Sequence, residues 1–247
     1  MRSGVAIRAI VSTRCKVTAV RVHVAFTPAE AERAPVAVVV DVLRATSTIA
    51  QALASGYRRV LCCAEIEEAR ALRAGLEDAV LAGERRAEAI PGFDLGNSPA
   101  DFVEPRAETL VMTTTNGTRA IVTAAANAEH VLLGSLLNLE AVAAAALAAG
   151  GDAEVVCAGV DARFTIDDAY CAGRIAELLG GERSDAAEAA VRVARSFGSA
   201  EEALRAAENP RQEAILDDIA WCARESVLDV APRLMRMEGP AAEIVAA

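Results

Sequence analysis

Two segments of this chain carry one pattern: Val38-Val-Val-Asp-Val-Leu-Arg-Ala-Thr-Ser-Thr-Ile-Ala50 and Leu110-Val-Met-Thr-Thr-Thr-Asn-Gly-Thr-Arg-Ala-Ile-Val122. Each passes from a short, wholly apolar strand into a hydroxyl-rich helix start. Strands apolar on both faces need helices on both sides, which favours an α/β fold. Asp, Arg, Thr, Ser, Asn and Gly at a strand's carboxyl end, just before a helix, are how such folds build anion sites. Two such places in one chain suggest a cleft that handles phosphate.

Composition supports that frame. Of 247 residues 53% are hydrophobic but only 3% aromatic, so the core is built from Ala, Val, Leu and Ile, which suits helices packed on a mostly parallel sheet. A net charge of −10 argues against nucleic acid as a partner, because that binding rests on clustered Lys and Arg. Lys16 is the single lysine, and the other basic residues are Arg, the better fork for planar anions, although an Arg- and Ala-rich composition explains the same usage. No apolar run reaches membrane-spanning length. Cysteines 15, 62, 63, 157, 171 and 222 show no Cys-x-x-Cys spacing and read as reduced thiols of a cytoplasmic protein. Residues 1–19 hold Arg2, Arg8, Arg14 and Lys16, with no acidic residue before Glu30, and read as a disordered extension, or a start assigned too early, rather than a targeting peptide. With no Ser/Gly linker, residues 20–247 form one domain.

Strands are predicted at 20–26, 36–40, 59–62 and 79–82, with helices from Thr46 or Ser47 to Gly56 and over 65–74. A second cycle follows, with strands 110–113 and 130–133 and helices 118–126 and 139–149. It superposes on the first at an offset of roughly 72 residues, which suggests a βαβα duplication. Between the cycles, residues 83–101 form a long loop with specific turn residues, and Ser98-Pro99 resembles a helix cap followed by proline at the first helical position. Strand 154–157 then leads into a helix opened by Ile166-Asp-Asp168, and beyond Ser184 the pattern reads as wholly helical, over 185–195, 200–207 and 210–224. The expectation is a three-layer α/β/α fold with a mostly parallel or mixed sheet. Its helical C-terminal segment would cover a sheet face or make a homodimer contact.

Four loops after strands carry the polar chemistry: 41–48, 83–86 with the turn at 92–99, 113–118, and 159–168. In a parallel sheet such loops share one edge, so their side chains converge. Hydrolysis of a phosphate monoester needs charge neutralised on three non-bridging oxygens. Arg44 and Arg85 supply forks, while Thr46, Ser47 and Thr48, with Asn116, Gly117 and Thr118, supply donors at two helix starts. Carboxylates among them would repel the ligand unless they held a cation, so Asp41, Glu84 and Asp168 read as Mg²⁺ ligands. Blander readings stand beside these: Asp41 as a helix cap, Thr115-Asn116-Gly117 as a turn, and Asp167 and Asp168 as dipole partners. His23 and His130 read as structural. Cys157 and Arg163 match the thiolate-phosphatase spacing, but Asp161 inside that loop would repel a dianion, so the match reads as chance.

Taken together, residues 39–48, Ala-Gly-Glu-Arg (82–85), Gly-Phe-Asp-Leu-Gly-Asn-Ser-Pro (92–99), Thr-Thr-Thr-Asn-Gly-Thr (113–118), Gly-Ser-Leu-Leu-Asn (134–138) and Val-Cys-Ala-Gly (156–159) resemble the 2-phosphosulfolactate phosphatase family, in order, over roughly 20–232. The resemblance implies a Mg²⁺-dependent enzyme that hydrolyses (R)-2-phospho-3-sulfolactate to 3-sulfolactate and phosphate, a step of coenzyme M biosynthesis, on a three-layer α/β fold. Two departures bear on the site. Asp167-Asp168 stands where the family commonly has Glu-Asp, and Arg86-Ala87-Glu88 replaces a glycine often found after Gly-Glu-Arg. The expected mechanism is in-line attack by a Mg²⁺-oriented water. Asp41, Glu84 and Asp168 position metal or water; Arg44 and Arg85 clamp phosphate and a second anionic group. Thr113, Thr114, Thr115, Asn116, Gly117 and Thr118 donate hydrogen bonds, and Asp94 and Asn97 shape the pocket. The rivals are a phosphohydrolase for another small 2-phospho acid and a non-catalytic binder of an anionic metabolite.

Overall fold

Short apolar runs alternating with Ala-rich stretches produce, along the chain, β1 (Arg21–Ala25), β2 (Ala34–Val40), α1 (Ala45–Ser55), β3 (Arg59–Cys62), α2 (Ile66–Ala74), β4 (Ala79–Arg85) and β5 (Glu88–Ala89). There follow β6 (Thr109–Thr113), α3 (Gly117–Ala124), β7 (Ala128–Gly134), α4 (Leu139–Ala149), β8 (Ala153–Cys157) and α5 (Ile166–Leu179). The last elements are β9 (Glu182–Arg183), α6 (Asp185–Arg195), α7 (Ala200–Ala206), α8 (Leu216–Cys222), β10 (Pro232–Glu238) and β11 (Ala241–Ala246). This computed structural model describes residues 20–208 and 215–247, so the extension expected at 1–19 lies outside the described residues, as does the first part of the helix expected at 210–224.

Side-chain alternation along the strands sorts the core into two faces. On β2, Val36, Val38 and Val40 pack under α4, α5 and α6, while Ala37 and Val39 face α1 and α3 on the opposite side. Leu61 and Val111 of β3 and β6 pack under α2, while their neighbours Val60, Cys62, Leu110 and Met112 join the α1–α3 core. The result is the expected three-layer α/β/α arrangement around a mixed sheet. Cys62, Cys63, Cys157, Cys171 and Cys222 are free and buried, as expected of reduced core thiols, and Cys15 lies outside the described residues. Among the described residues no helix is long and apolar enough to cross a membrane.

The expectation of a wholly helical C-terminal segment is corrected. After α6, α7 and α8 the chain closes with a β-hairpin, β10–β11, and this hairpin occupies the middle of the sheet, whose order is β5-β4-β6-β3-β11-β10-β7-β2-β8-β1-β9. Gly239, with φ of 60°, makes the turn, and Ala241, Ala242 and Ile244 are buried. An Ala-Ala-Glu-Ile-Val run has the composition of a helix, and only the Gly239-Pro240 break before it betrays the hairpin.

That insertion sets the strand directions. β3 is antiparallel to β11, β11 to β10, and β10 to β7. The two parallel halves, β4-β6-β3 and β7-β2-β8-β1-β9, therefore run in opposite directions. Exchanging β2 with β6, β3 with β7 and β4 with β8 reverses the order of these six strands on either side of the hairpin. The expectation that the βα loops share one parallel edge is thus corrected. They meet because α1 and α3 lie on the same face with their starts in contact: a Cβ built on Gly117 would sit 2.4 Å from the Cβ of Ala45 and 2.5 Å from Oδ2 of Asp41.

Candidate active site

Loops after β2, β4, β6 and β8 line one cleft of about 470 Å³, counted out to its open mouth. Asp41 and Arg44 come from the first loop, Glu84, Arg86 and Asn97 from the second, Thr115 and Asn116 from the third, and Asp161 from the fourth. Ile215, just before α8, also reaches it. All four loops singled out in the sequence are therefore brought together, although two belong to each opposed half of the sheet.

Helix α1 is buried along its first nine residues, so its hydroxyls need internal partners. Thr46 donates to the Asp41 carbonyl at 2.9 Å and accepts from the Asp41 N–H at 3.1 Å. Ser47 donates to the Val42 carbonyl at 2.8 Å, and Thr48 to the Asn97 carbonyl at 2.9 Å. Those hydroxyls lock the loop, and the charged residues Asp41 and Arg44 face the cleft. Oδ1 of Asp41 accepts the Ala45 N–H at 3.2 Å. Burial, with Glu84 and Asp167 adding to it, pushes the Asp41 carboxyl up to about 7 against the opposing Ala45 N–H and Arg44. Arg44 is held by Asp218 of α8, with Nη1 2.7 Å from Oδ2.

At the start of α3 the same vocabulary does a different job. Thr114 and Thr118 close on each other: the Thr114 N–H reaches Thr118 Oγ1 at 3.0 Å and the Thr118 N–H reaches Thr114 Oγ1 at 3.1 Å. Thr115 holds the carboxylate of Glu84, donating through its N–H at 2.6 Å and its hydroxyl at 2.9 Å. Asn116 Oδ1 accepts the Asp161 N–H at 3.4 Å, tying the third loop to the fourth. Gly117 is required because any side chain there would strike the Asp41 carboxylate.

Arg85 is not in the cleft. Strand alternation sends Glu84 toward it and Arg85 away, to the Ala64 carbonyl at 2.9 Å and Thr113 Oγ1 at 2.7 Å. Thr113 is thereby spent as well. The chain then turns through Arg86 and Ala87, with φ of 57° and 64°, into β5. This two-residue hairpin has the left-handed pair of a type I′ turn, usually Asn-Gly, and costs about 1–2 kcal/mol per non-glycine residue. Bonds from Arg86 N–H to Thr115 Oγ1 at 2.8 Å and from Ala87 N–H to Glu84 Oε2 at 2.6 Å hold it in place. Arg86 therefore takes the cleft-lining position expected of Arg85. Asp94 is also outside: its carboxylate accepts the Leu81 N–H at 2.8 Å and clasps the 92–99 turn to β4.

Asp168 stands behind the cleft wall. Its two oxygens accept the N–H groups of Val42 and Gly159, each at 2.9 Å, and so fasten the first loop to the fourth. Burial raises its carboxyl well above the ordinary range, helped by Asp167 and Asp41, and burial raises Asp167 too. Among the described residues no group of three or more His, Cys, Asp or Glu is arranged to hold a metal ion. The expected trio of Asp41, Glu84 and Asp168 is thus not assembled, because Asp168 is committed to backbone N–H groups; two carboxylates, Asp41 and Glu84, reach the cleft. Beside them the buried Oδ1 of Asn97 has no hydrogen-bond partner. Cys157 is buried and its thiol is pushed well above its ordinary value, first by burial and then by Asp168, which argues against a thiolate nucleophile.

Comparison with known proteins agrees with this chemistry. The family model described as 2-phosphosulpholactate phosphatase matches residues 23–236. A protein of Deinococcus radiodurans named "Probable 2-phosphosulfolactate phosphatase" is 42% identical over 210 residues, covering 81% of this chain and 88% of that protein. The "2-phosphosulfolactate phosphatase" of Methanothermobacter thermautotrophicus is 36% identical over 217 residues, covering 87% and 92%. With a match across most of its length and motifs that fold into one acidic and cationic cleft, the chain belongs to the 2-phosphosulfolactate phosphatase family of phosphoric monoester hydrolases.

Proposed function

We propose that the cleft hydrolyses (R)-2-phospho-3-sulfolactate to 3-sulfolactate and phosphate in a Mg²⁺-dependent reaction. The observation that carries this reading is the meeting of buried Asp41 and Glu84 with Arg44 and Arg86 in a single cleft, in a chain of this family. Mg²⁺ takes one or two carboxylates and keeps waters and substrate oxygens as its remaining ligands, so two carboxylates suffice. The Asp41 carboxyl, raised by burial and then by its neighbour Glu84, and the unpartnered Asn97 Oδ1 are both what a cation would satisfy. Asp41, Glu84 and Asn97 would hold the ion. When bound, it neutralises charge on the phosphoryl oxygens and lowers the pKa of a coordinated water.

The chain's own groups do the rest. Arg44 forks the phosphoryl oxygens, and Arg86, on the outer lip, takes the second anionic group. Thr115 keeps Glu84 oriented, and Gly117 leaves room for Asp41 to approach. Asp168 holds the loops that carry Asp41 and Asp161. The buried free thiols support the expectation of a reducing compartment.

The test is phosphate release from 2-phospho-3-sulfolactate, 2-phospholactate and 2-phosphoglycerate, each with Mg²⁺ and with EDTA. Preference for the sulfonated substrate is expected. Equal or better turnover of an unsulfonated acid would assign another 2-phospho acid, and binding without turnover would assign a sensor.

A further inference from the structure

We propose that Asp218 is a positioning residue for Arg44, which makes helix α8 a working part of the anion site. The sequence offers no hint of this: Asp217-Asp218 lies in a helical stretch far from every recognisable loop, and Ser98 looks like a helix cap. In the structure Ser98 makes no capping bond. It donates instead to Oδ1 of Asp218, whose Oδ2 receives Nη1 of Arg44 at 2.7 Å. The carboxylate is thus held at both oxygens, and the paired side chains of Arg44 and Asp218 are 9% and 7% exposed.

A guanidinium has five N–H donors on a long, flexible stem. Fixing one nitrogen against a buried carboxylate orients the plane and leaves the other donors for an oxyanion. The same clasp reaches further around the cleft. Ser98 follows Asn97, whose buried Oδ1 lacks a partner, and Ile215 at the start of α8 lines the cleft beside Arg44. Asp218 therefore sets Arg44 directly and the Asn97 wall through Ser98.

This inference rests on the reading of the cleft as a phosphate site, and the test separates the two. Steady-state hydrolysis of 2-phospho-3-sulfolactate with Mg²⁺, and calorimetric binding of orthophosphate, are measured for wild type, Asp218→Asn, Arg44→Ala and the double variant, after circular dichroism has established folding. A mere loss of stability lowers the active fraction and so kcat, leaving KM in place. Misplacement of Arg44 raises KM and the phosphate Kd, by about tenfold or more, with kcat falling less than about threefold. In the Arg44→Ala background, Asp218→Asn adds less than about twofold, because the residue it acts through is gone. Unchanged KM and Kd, a fall in kcat alone, or full additivity would overturn the proposal.

If Asp218→Asn does not fold, Ser98→Ala keeps the ion pair but frees the second oxygen of Asp218. A rise of about threefold in the same constants, absent in the Arg44→Ala background, is then expected, and no rise overturns the proposal. Wild type that binds orthophosphate without turnover would defeat the phosphatase reading while the binding comparison still decides the role of Asp218. Wild type that does not bind orthophosphate at millimolar concentration defeats both.

Discussion

The starts of α1 and α3 are written in nearly the same residues, yet they divide the labour of the cleft. At α1 the hydroxyls of Thr46, Ser47 and Thr48 bond backbone carbonyls, and the charged residues Asp41 and Arg44 are presented. At α3 no charge is presented; Thr114 and Thr118 close on each other, and Thr115 holds a charge, Glu84, that arrives from a neighbouring strand. One start is the working face and the other is its frame. The difference follows from the partners each meets. α1 is buried along most of its length, so its small hydroxyls must be satisfied internally, whereas the α3 start abuts the end of β4 and has an acidic neighbour to hold.

Four tests sharpen this contrast, in descending size of effect. Glu84→Gln removes a charge that the α3 start exists to hold, and kcat/KM is expected to fall by about 10²–10³ in the phosphate-release assay, as for loss of one electrostatic partner of a reacting group. A variant within tenfold of wild type would make Glu84 part of the frame instead. Gly117→Ala puts a Cβ 2.5 Å from Asp41 Oδ2. It is expected to cost about 1–3 kcal/mol of stability, read by urea unfolding, and to lower kcat/KM more than tenfold.

Arg86→Ala is expected to raise KM for the sulfonated substrate by about tenfold, a loss of about 1.4 kcal/mol of binding, while Arg85→Ala leaves KM within about twofold. The reverse order would restore Arg85 to the site. The smallest effect is on the pH dependence of stability without metal. A carboxyl whose folded pKa is near 7, above its unfolded value of 3.8, holds its proton more tightly when folded. Stability therefore falls as pH rises through the window from about 4 to 7, where the buried carboxyl must give up its proton, and is regained as pH falls. The metal-free Tm should accordingly drop less between pH 5 and pH 8 in Asp41→Asn than in wild type, by a few degrees. Added Mg²⁺ should raise the wild-type Tm more at pH 8 than at pH 5. Identical pH profiles for the two proteins would show that Asp41 carries no such penalty.

The alternation of apolar runs and helix patterns made most elements legible in the sequence, and turn and hydroxyl residues marked all four loops of the cleft. What could not be read follows from long-range pairing. The opposed direction of the two sheet halves depends on β10 and β11, whose residues lie at the end of the chain and resemble a helix by composition. The choice between Arg85 and Arg86 depends on strand alternation and a left-handed turn built from Arg and Ala, where the usual Asn-Gly signal is missing. The sequence reads Asp168 as a metal ligand, but its two hydrogen bonds to backbone N–H groups, which take it out of the cleft, leave no trace in its spacing. Asp218 meets Arg44 across 174 positions of sequence, and no local pattern announces such a contact.

The division between working face and frame is tested most directly by kcat/KM of Asp41→Asn and Thr118→Val, measured side by side with 2-phospho-3-sulfolactate and Mg²⁺. Asp41→Asn should lower kcat/KM by about 10³ or more, whereas Thr118→Val, which breaks the closed pair at the other helix start, should lower Tm but keep kcat/KM within about fivefold. Substantial activity in Asp41→Asn, or a loss in folded Thr118→Val as large as that in Asp41→Asn, would contradict the account.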